Sequence, residues 1–199
     1  MEERMSTKPT FSVTGRTESG KGVARKLRAA GQLPAVCYGM NSETISVVAD
    51  PDALYKLLTG PRRRNIVFRL EIEGGSSFDY VMVKEYQIDP IKRDLVHADF
   101  VVVDPNKKVK VTVPVETTGR SRGEREGGKL RAVRPQVELM ARPDDIPEKL
   151  THDISDLGLG AVFLASELEL PEGVEPGYKA DFAVYQIAVP RGAAAKGKG

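Results

Sequence analysis

The residues best suited to chemistry form a basic run near the start of the chain, between Gly20 and Gly31. The run contains four cations and no acidic residue: Lys21, Arg25, Lys26 and Arg28. If it is helical, Lys21, Arg25 and Arg28 fall within one arc of about 60°. The apolar side chains gather on the opposite side: Val23, Ala24, Leu27 and Ala30. Such a helix packs with one face and presents the other face to an anion.

Three kinds of environment suit this basic face. The free N–H groups at a helix N-terminus favour phosphate, so nucleic acid is the leading candidate. A membrane surface needs large apolar side chains opposite the charges, and this helix offers mostly alanine and valine. A solvated face without a ligand is the third alternative, which the spacing alone leaves open. The glycines fit a helix with an approachable start and a left-handed C-cap: Gly20, Gly22 and Gly31.

The same region resembles a nucleotide-binding P-loop, because the segment 15–22 begins with the pattern G-x-x-x-x-G-K, which ends at Lys21. The next position should hold Ser or Thr to ligate magnesium, but it holds Gly22. No alternation of strands and helices follows, and no apolar strand ends in an acidic metal ligand. A nucleotide hydrolase is therefore only the weaker alternative.

Other catalytic or metal-binding groups are sparse. Catalytic and zinc sites need clustered His, Cys or paired carboxylates, whereas the only histidines are His97 and His152 and the only cysteine is Cys37. Cys37 excludes an intramolecular disulfide and is predicted to be a small buried residue of a strand. His97 and Asp99 share one face of a predicted strand, as an acid/base pair or, more commonly, as a hydrogen-bonded surface pair. We expect no enzymatic activity, no cofactor and no metal.

Charge is unevenly distributed along the 199 residues, although the net charge is only +2. Residues 106–134 hold nine cations and three acids, whereas residues 136–190 hold three cations and eleven acids. A polyanion should therefore avoid the later part of the chain. No apolar run reaches the length of a membrane span, and the first residues lack the core of a signal peptide. These features predict a cytoplasmic protein that does not bind a membrane.

Hydrophobic periodicity predicts a mainly β protein with a few helices. The elements predicted before residue 104 are strands at 10–14, 45–48 and 95–103, a turn into a further strand at 33–39, helices at 20–31 and 50–58, a hairpin at 66–82 and an irregular segment at 85–93. Later residues are mostly strand and turn, with a mobile loop at 119–128. The predicted organisation is a flexible N-terminus at 1–8, one domain at 9–104, a β-rich domain at 105–190 and a basic flexible tail at 191–199.

Several of these residues together resemble a known family. They are Gly20-Lys21-Gly22, Ala24-Arg25-Lys26-Leu27-Arg28, Gly31, Pro34-Ala35-Val36, Tyr38-Gly39, Gln87, Asp89-Pro90 and His97-Ala98-Asp99-Phe100. Their order and spacing resemble the bacterial ribosomal protein family that binds 5S rRNA, large-subunit protein number twenty-five, also called general stress protein CTC. Residues 105–190 are similar to the second domain of the long CTC form, through Gly127-Gly128-Lys129-Leu130 and Leu170-Pro171-Glu172-Gly173-Val174.

The resemblance implies an N-terminal β-barrel that docks on 5S rRNA. It also implies a β-rich C-terminal domain that reaches neighbouring large-subunit components, either 23S rRNA or ribosomal proteins, in a protein that is monomeric within the ribosome. By position, the RNA contacts of the family carry over to Arg16, Lys21, Arg25, Lys26, Arg28, Tyr38, Gln87, His97 and Asp99. Lys26 matches by charge alone, since the family often has arginine there and lysine cannot form the same bidentate fork.

These residue types suit double-stranded RNA, which is recognised through phosphates and 2′-hydroxyls across its wide minor groove. The cations would neutralise phosphates, and Gln87, His97 and Asp99 supply donors and acceptors for hydroxyls and base edges. Asp99 cannot bind phosphate, so it should orient a basic neighbour or accept a hydrogen bond. Tyr38 could stack, donate a hydrogen bond or pack in the core. The other alternative is a stress-related protein-interaction module with incidental RNA binding.

Overall fold

The computed structural model describes residues 8–39 and 42–189. The predicted tail at 191–199, and all but the last residue of the predicted flexible N-terminus at 1–8, lie outside the described residues. The chain divides into two compact units. The first ends at Val109 and includes Arg142–Asp144, and the second comprises Lys110–Ala141 and the chain from Asp145 onward. The limits 9–104 and 105–190 for separately folding domains remain our proposal.

The first unit is a closed barrel of six strands, in the order β1-β3-β2-β6-β5-β4 with β4 paired to β1. The strands are β1 Thr10–Gly15, β2 Leu33–Gly39, β3 Ser42–Ala49, β4 Val67–Glu73, β5 Ser77–Ile88 and β6 Leu95–Val102. Helix α1 (Lys21–Ala29) connects β1 to β2, and helix α2 (Pro51–Thr59) connects β3 to β4. A 3₁₀ turn at Arg63–Asn65 follows α2 and carries two of three consecutive arginines, Arg62-Arg63-Arg64. The predicted mainly β fold with an N-terminal barrel is confirmed.

The barrel interior is built around three phenylalanines. Phe11, Phe68 and Phe100 come from three different strands, and each pair of ring centroids is 5.8 Å apart in an edge-to-face arrangement. This geometry is preferred by aromatic pairs because the positive ring edge meets the negative ring face. Leu54 of α2 completes the same buried cluster. Asp50, the first residue of the predicted helix at 50–58, caps α2, its side chain accepting a hydrogen bond of 3.0 Å from the Asp52 amide.

Strand β5 extends further than the sequence predicts. Residues 85–88 continue the strand instead of forming part of an irregular segment, so only the turn after Ile88 is irregular. The pairing of β5 with β6 shifts between Val83 and Glu85 and again between Gln87 and Ile88. Each shift breaks the alternation of inward and outward side chains on which the prediction depended. The extension matters because it places Gln87 beside β6.

The second unit contains two sheets, so the predicted β-rich character of this part is confirmed. One sheet has the order β10-β7-β9-β12 and the other β11-β13-β8. Their strands are β7 Val109–Thr118, β8 Lys129–Ala132, β9 Gln136–Ala141, β10 Leu150–Asp153, β11 Val162–Leu164, β12 Glu175–Pro176 and β13 Ala183–Ala188. Short 3₁₀ turns lie at Pro143–Asp145 and Ala165–Glu167. Buried residues from both sheets include Val113, Leu139 and Ile187.

The prediction of a mobile loop at 119–128 was wrong, because this segment contains the helical turn α3 (Arg122–Arg125). Ser121 is fully buried and forms a capping box with Glu124, in which each side chain bonds the other residue's backbone N–H. Gly123 is also buried, and a Cβ added to it would lie 2.7 Å from the Gly158 carbonyl carbon. Gly123 and Gly128, which suggested flexibility, instead allow close packing.

Candidate nucleic-acid interface

Helix α1 begins and ends as its glycines predict. Gly20 is the N-cap, with a φ of +113°, and no side chain caps the free N–H groups. At the other end Gly31 has a φ of +74°, in the left-handed region. The amide of Gly31 donates to the Arg28 carbonyl at 3.1 Å, and the amide of Gln32 donates to the Leu27 carbonyl at 2.9 Å. This pair of bonds is a Schellman motif, so the predicted glycine C-cap is confirmed.

The two predicted faces of α1 are present, although the packing face is shallow. The four cations are exposed: Lys21, Arg25, Lys26 and Arg28. Val23, Ala24 and Leu27 are half-buried, and no residue of the helix is fully buried. Ala30 is exposed and does not join the packing face, because α1 ends at Ala29. Lys21, Arg25 and Arg28 therefore form an open basic stripe, with Lys26 on its flank.

Arg28 connects the basic stripe to the barrel wall. Its Nε donates a hydrogen bond of 2.9 Å to the carbonyl of Val96, the residue before His97 on β6. A guanidinium has five N–H donors, so this bond leaves the two terminal NH₂ groups for another acceptor. Arg28 thus links α1 to β6 next to His97, and its side chain remains exposed.

A polar patch covers the outer face of β2, β6 and β5. Ala98 and Phe100 point into the barrel and are fully buried, so His97 and Asp99 point outward. In the antiparallel pairing of β5 with β6, Gln87 lies opposite His97 and Glu85 lies opposite Asp99. Together with Tyr86, these four residues line a small depression of about 170 Å³. The sequence did not indicate Glu85, because its place opposite Asp99 depends on the pairing of β5 with β6.

Within this patch, His97 and Asp99 are bonded to each other. The His97 Nδ1 lies 2.9 Å from the Asp99 Oδ1, and the two side chains are only 28% and 30% exposed. A carboxylate in this position fixes the orientation of the ring and leaves Nε2 for another partner. This is the geometry expected of an aspartate that orients a basic neighbour instead of meeting phosphate itself.

Tyr38 joins the patch from the neighbouring strand β2, which runs parallel to β6. Its chain neighbour Cys37 points into the barrel and is 1% exposed, so Tyr38 points outward. Burial, and to a lesser extent the negative charges of Asp99 and Glu85, raise the pKa of the Tyr38 phenol. The hydroxyl therefore remains protonated at neutral pH and is available as a hydrogen-bond donor.

Arg16 lies apart from the patch, on the connection between β1 and α1. Its backbone amide donates to the Ser46 carbonyl at 2.9 Å, and one terminal nitrogen reaches the Glu18 carbonyl at 3.4 Å. Its Nε is buried and has no hydrogen-bond partner within the described residues. Of the nine predicted residues, the structure brings Arg28, Tyr38, Gln87, His97 and Asp99 to adjoining positions. It places Lys21, Arg25 and Lys26 along α1 and Arg16 just before it.

The described residues 8–39 and 42–189 contain no group of three or more His, Cys, Asp or Glu side chains that could hold a metal ion. Burial raises the pKa of the Cys37 thiol to about 11, so it is not a nucleophile at neutral pH. In the same described part of the chain, no helix is long and apolar enough to cross a membrane.

Comparison with known proteins places the chain in a family. Residues 11–100 match the model of the Ribosomal L25p family, and residues 108–191 match that of the ribosomal protein TL5 C-terminal domain. The large ribosomal subunit protein bL25 of Anaeromyxobacter dehalogenans (strain 2CP-C) is 41% identical over 180 residues, which are 90% of this chain and 74% of that protein. The bL25 of Lawsonia intracellularis (strain PHE/MN1-00) is 35% identical over 190 residues, covering 94% of this chain and 96% of that protein. The chain therefore belongs to the family of the large ribosomal subunit protein bL25, in the long form with a TL5-type C-terminal domain.

Proposed function

We propose that this protein binds 5S rRNA through the basic stripe of α1 and the polar patch on β2, β5 and β6. Membership of the bL25 family makes it a structural protein of the large ribosomal subunit, on the ribosome in the cytoplasm. The family is not an enzyme family, so the alternative of a nucleotide hydrolase at residues 15–22 was wrong. The 5S rRNA as the bound RNA is our proposal.

One observation carries this proposal: the hydrogen bond from Arg28 to the Val96 carbonyl. This bond joins the basic stripe of α1 to the polar patch, which lie far apart in the sequence. The two together form a continuous surface of cations and hydrogen-bonding side chains. The cations suit phosphates, whereas the patch suits the 2′-hydroxyls and base edges exposed in the minor groove of RNA. A surface that only neutralised phosphates would need no such patch.

The salt dependence of binding tests the stripe. Each phosphate contact contributes about 0.7–0.9 to the slope of log affinity against log salt concentration. We expect the double variant Arg25→Ala and Lys26→Ala to flatten that slope by about 1.5 for isolated 5S rRNA. Arg28 is left intact because its replacement would also remove the hydrogen bond to Val96. A loss of affinity could then result from a displaced α1 and not from a lost phosphate contact.

The matched control for this experiment is the double variant Lys56→Ala and Lys107→Ala. Both residues are exposed and lie in the first unit outside α1. Their replacement removes two positive charges, as the α1 double variant does. Its salt slope should equal that of the unaltered protein. Equal slopes for all three proteins would rule out the α1 stripe and favour the alternative of a protein-interaction module with incidental RNA binding.

Gly22 gives an independent prediction, because nothing described in the chain requires glycine at this helical position. Its φ is not positive, and an added Cβ would have no described atom within 4 Å. Glycine in a helix costs about 0.5–1 kcal/mol relative to alanine, so Gly22→Ala should stabilise the free protein by up to about that amount. We expect the same change to weaken binding to 5S rRNA, because a methyl group would separate the helix N-terminus from an approaching phosphate backbone.

Thermal unfolding and 5S rRNA titrations of the same samples measure both effects. Ala29→Gly, at the exposed opposite end of α1, is the control because it should lower stability and leave affinity nearly unchanged. If Gly22→Ala bound RNA as tightly as the unaltered protein, the start of α1 would not lie against the backbone.

A further inference from the structure

The second unit contains a groove that the proposed 5S rRNA contact does not use. Its volume is about 710 Å³, within the range of about 300–1,000 Å³ typical of ligand sites. Its side chains come from the start of β7, the β8–β9 connection, β9 and the segment before β13. The charged and aromatic members are Lys110, Arg134, Glu138, Tyr178, Lys179 and Phe182. Every lining residue belongs to the second unit.

One wall of the groove is an aromatic platform with a cation on it. The guanidinium carbon of Arg134 lies 4.9 Å from the centroid of the Phe182 ring. The Phe182 ring in turn meets the Tyr178 ring edge-to-face, with centroids 5.2 Å apart. The Tyr178 hydroxyl donates a hydrogen bond of 2.8 Å to the Ala165 carbonyl. The platform is therefore held in place before any ligand arrives.

The segment that carries Phe182 is fixed by a second set of bonds. The Asp181 carboxylate accepts a 2.7 Å hydrogen bond from the Ser166 hydroxyl and a 3.0 Å bond from the Phe182 amide. These bonds hold the Asp181 carboxylate within its own segment, and within the described residues it forms no ion pair with Arg134. A pre-positioned guanidinium loses less conformational entropy when it binds an anion.

The charge of the groove differs from that of its surroundings. Lys110 is paired with Glu138 at 2.7 Å, so these two side chains neutralise each other. Lys179 forms no ion pair with any residue in the described part of the chain and, with Arg134, leaves the groove positive. Outside the groove, residues 136–190 carry ten acids and only two cations. An anionic ligand should therefore bind this region only at the groove, and only a short segment of it should be bound.

We propose that this groove binds a short single-stranded segment of RNA, in which a base stacks on Arg134 and a phosphate meets Lys179. A guanidinium that rests on an aromatic ring has its other face open for a base, and its edges can bond phosphate. Unpaired bases have free faces for this stacking, whereas the bases of a duplex are already stacked. Glu138 offers a carboxylate to the amino group of a base. An acidic peptide could satisfy the cations but has no planar ring for the platform.

The test uses the full-length protein in the Arg25→Ala, Lys26→Ala background, which weakens the α1 stripe, so that a further loss of binding on changing groove residues reports on the groove. The probe is a short, labelled, single-stranded oligoribonucleotide of mixed sequence, titrated by fluorescence anisotropy at several salt concentrations. Adding Arg134→Ala and Lys179→Ala should weaken binding about tenfold, because stacking and charge are both lost. The salt slope should fall by about 1.4, as expected for two contacts to a single strand.

Two further variants separate the proposal from general charge effects. Arg134→Lys keeps the charge but loses the planar face, so it should preserve the salt slope and still weaken binding about fivefold. Arg122→Ala with Lys129→Ala removes the same charge from exposed positions of this unit outside the groove, and should leave binding unchanged. All four positions are exposed, so circular dichroism should show unaltered folding in each variant.

The proposal fails if the groove variant and the charge-matched variant weaken binding equally. It also fails if the starting protein does not bind the oligonucleotide. Displacement of the oligonucleotide by polyglutamate as readily as by unlabelled RNA would show that the groove takes an acidic protein segment instead. The groove variant made in the unaltered protein should bind 5S rRNA normally. Failure of the groove proposal is therefore distinguishable from failure of the proposed 5S rRNA site.

Discussion

Replacing Phe100 by alanine is expected to lower the free energy of unfolding of the barrel by about 3–5 kcal/mol. Phe100 is fully buried and its ring contacts both Phe11 and Phe68 at the centre of the barrel. Its removal leaves a cavity that a closed sheet cannot easily collapse to fill, because six strands hold one another in register. Denaturant unfolding, followed by hydrogen exchange of barrel amides, measures the loss.

Tyr55→Ala is the matched control for this experiment. Tyr55 is an aromatic residue of the same unit, but it lies on α2 and is 57% exposed. Its replacement should change stability by about 0.5 kcal/mol or less. If both variants lost the same stability, the phenylalanine cluster would not be the centre of the barrel core.

Replacing Gly39 by alanine is expected to destabilise the barrel by about 3 kcal/mol and to weaken RNA binding as well. Gly39 ends β2 beside Tyr38, and its φ of +122° lies far from the left-handed well that other residues tolerate. An added Cβ would lie 2.5 Å from the Val102 carbonyl oxygen of β6. Relief of that clash requires β2 to move away from β6, and the polar patch spans these two strands.

Gly74→Ala is the control that separates the effect of the steric clash on stability from the effect of the positive φ. Gly74 also has a positive φ, at +71°, but an added Cβ there would have no described atom within 4 Å. This control should cost about 1 kcal/mol and leave RNA affinity unchanged, because it lies in the β4–β5 turn. Equal effects of the two variants on stability would mean that the close approach of β2 to β6 is unimportant.

The sequence predicted elements well where one local rule decided the structure. Asp50 and Pro51 marked the start of α2, and Gly31 marked the end of α1, because capping depends on the chemistry of one or two residues. Alternation predicted β6 correctly, including the opposite faces of Ala98 and His97. These are local properties, and the tertiary structure does not override them here.

The elements that the sequence missed depend on tertiary pairing. The bulges of β5 interrupt its alternation, and only its partner β6 shows that residues 85–88 continue the strand. Strands β10, β11 and β12 have two to four residues each, too few for a period to be recognised. The glycines near α3 suggested flexibility because the sequence does not reveal that Gly158 and Ile187 pack against them.

The candidate site was predictable in its residue types but not in its connections. The basic stripe follows from helical spacing, and the pairing of His97 with Asp99 follows from strand alternation. The hydrogen bond from Arg28 to Val96 joins residues 68 positions apart, so no local pattern indicates it. Glu85 was missed because its position opposite Asp99 is set by the pairing of β5 with β6, which no local pattern shows. The predicted RNA contacts themselves remain predictions until the salt-slope experiment is performed.

Closure of the barrel also has a consequence for the protein before it meets RNA. Because β1 pairs with both β3 and β4, every strand of the first unit has a neighbour on each side. A sheet with an unpaired border can recruit a strand from another molecule, which is a common route to aggregation. The barrel lacks that route, so newly made copies should remain separate even when they accumulate ahead of ribosome assembly.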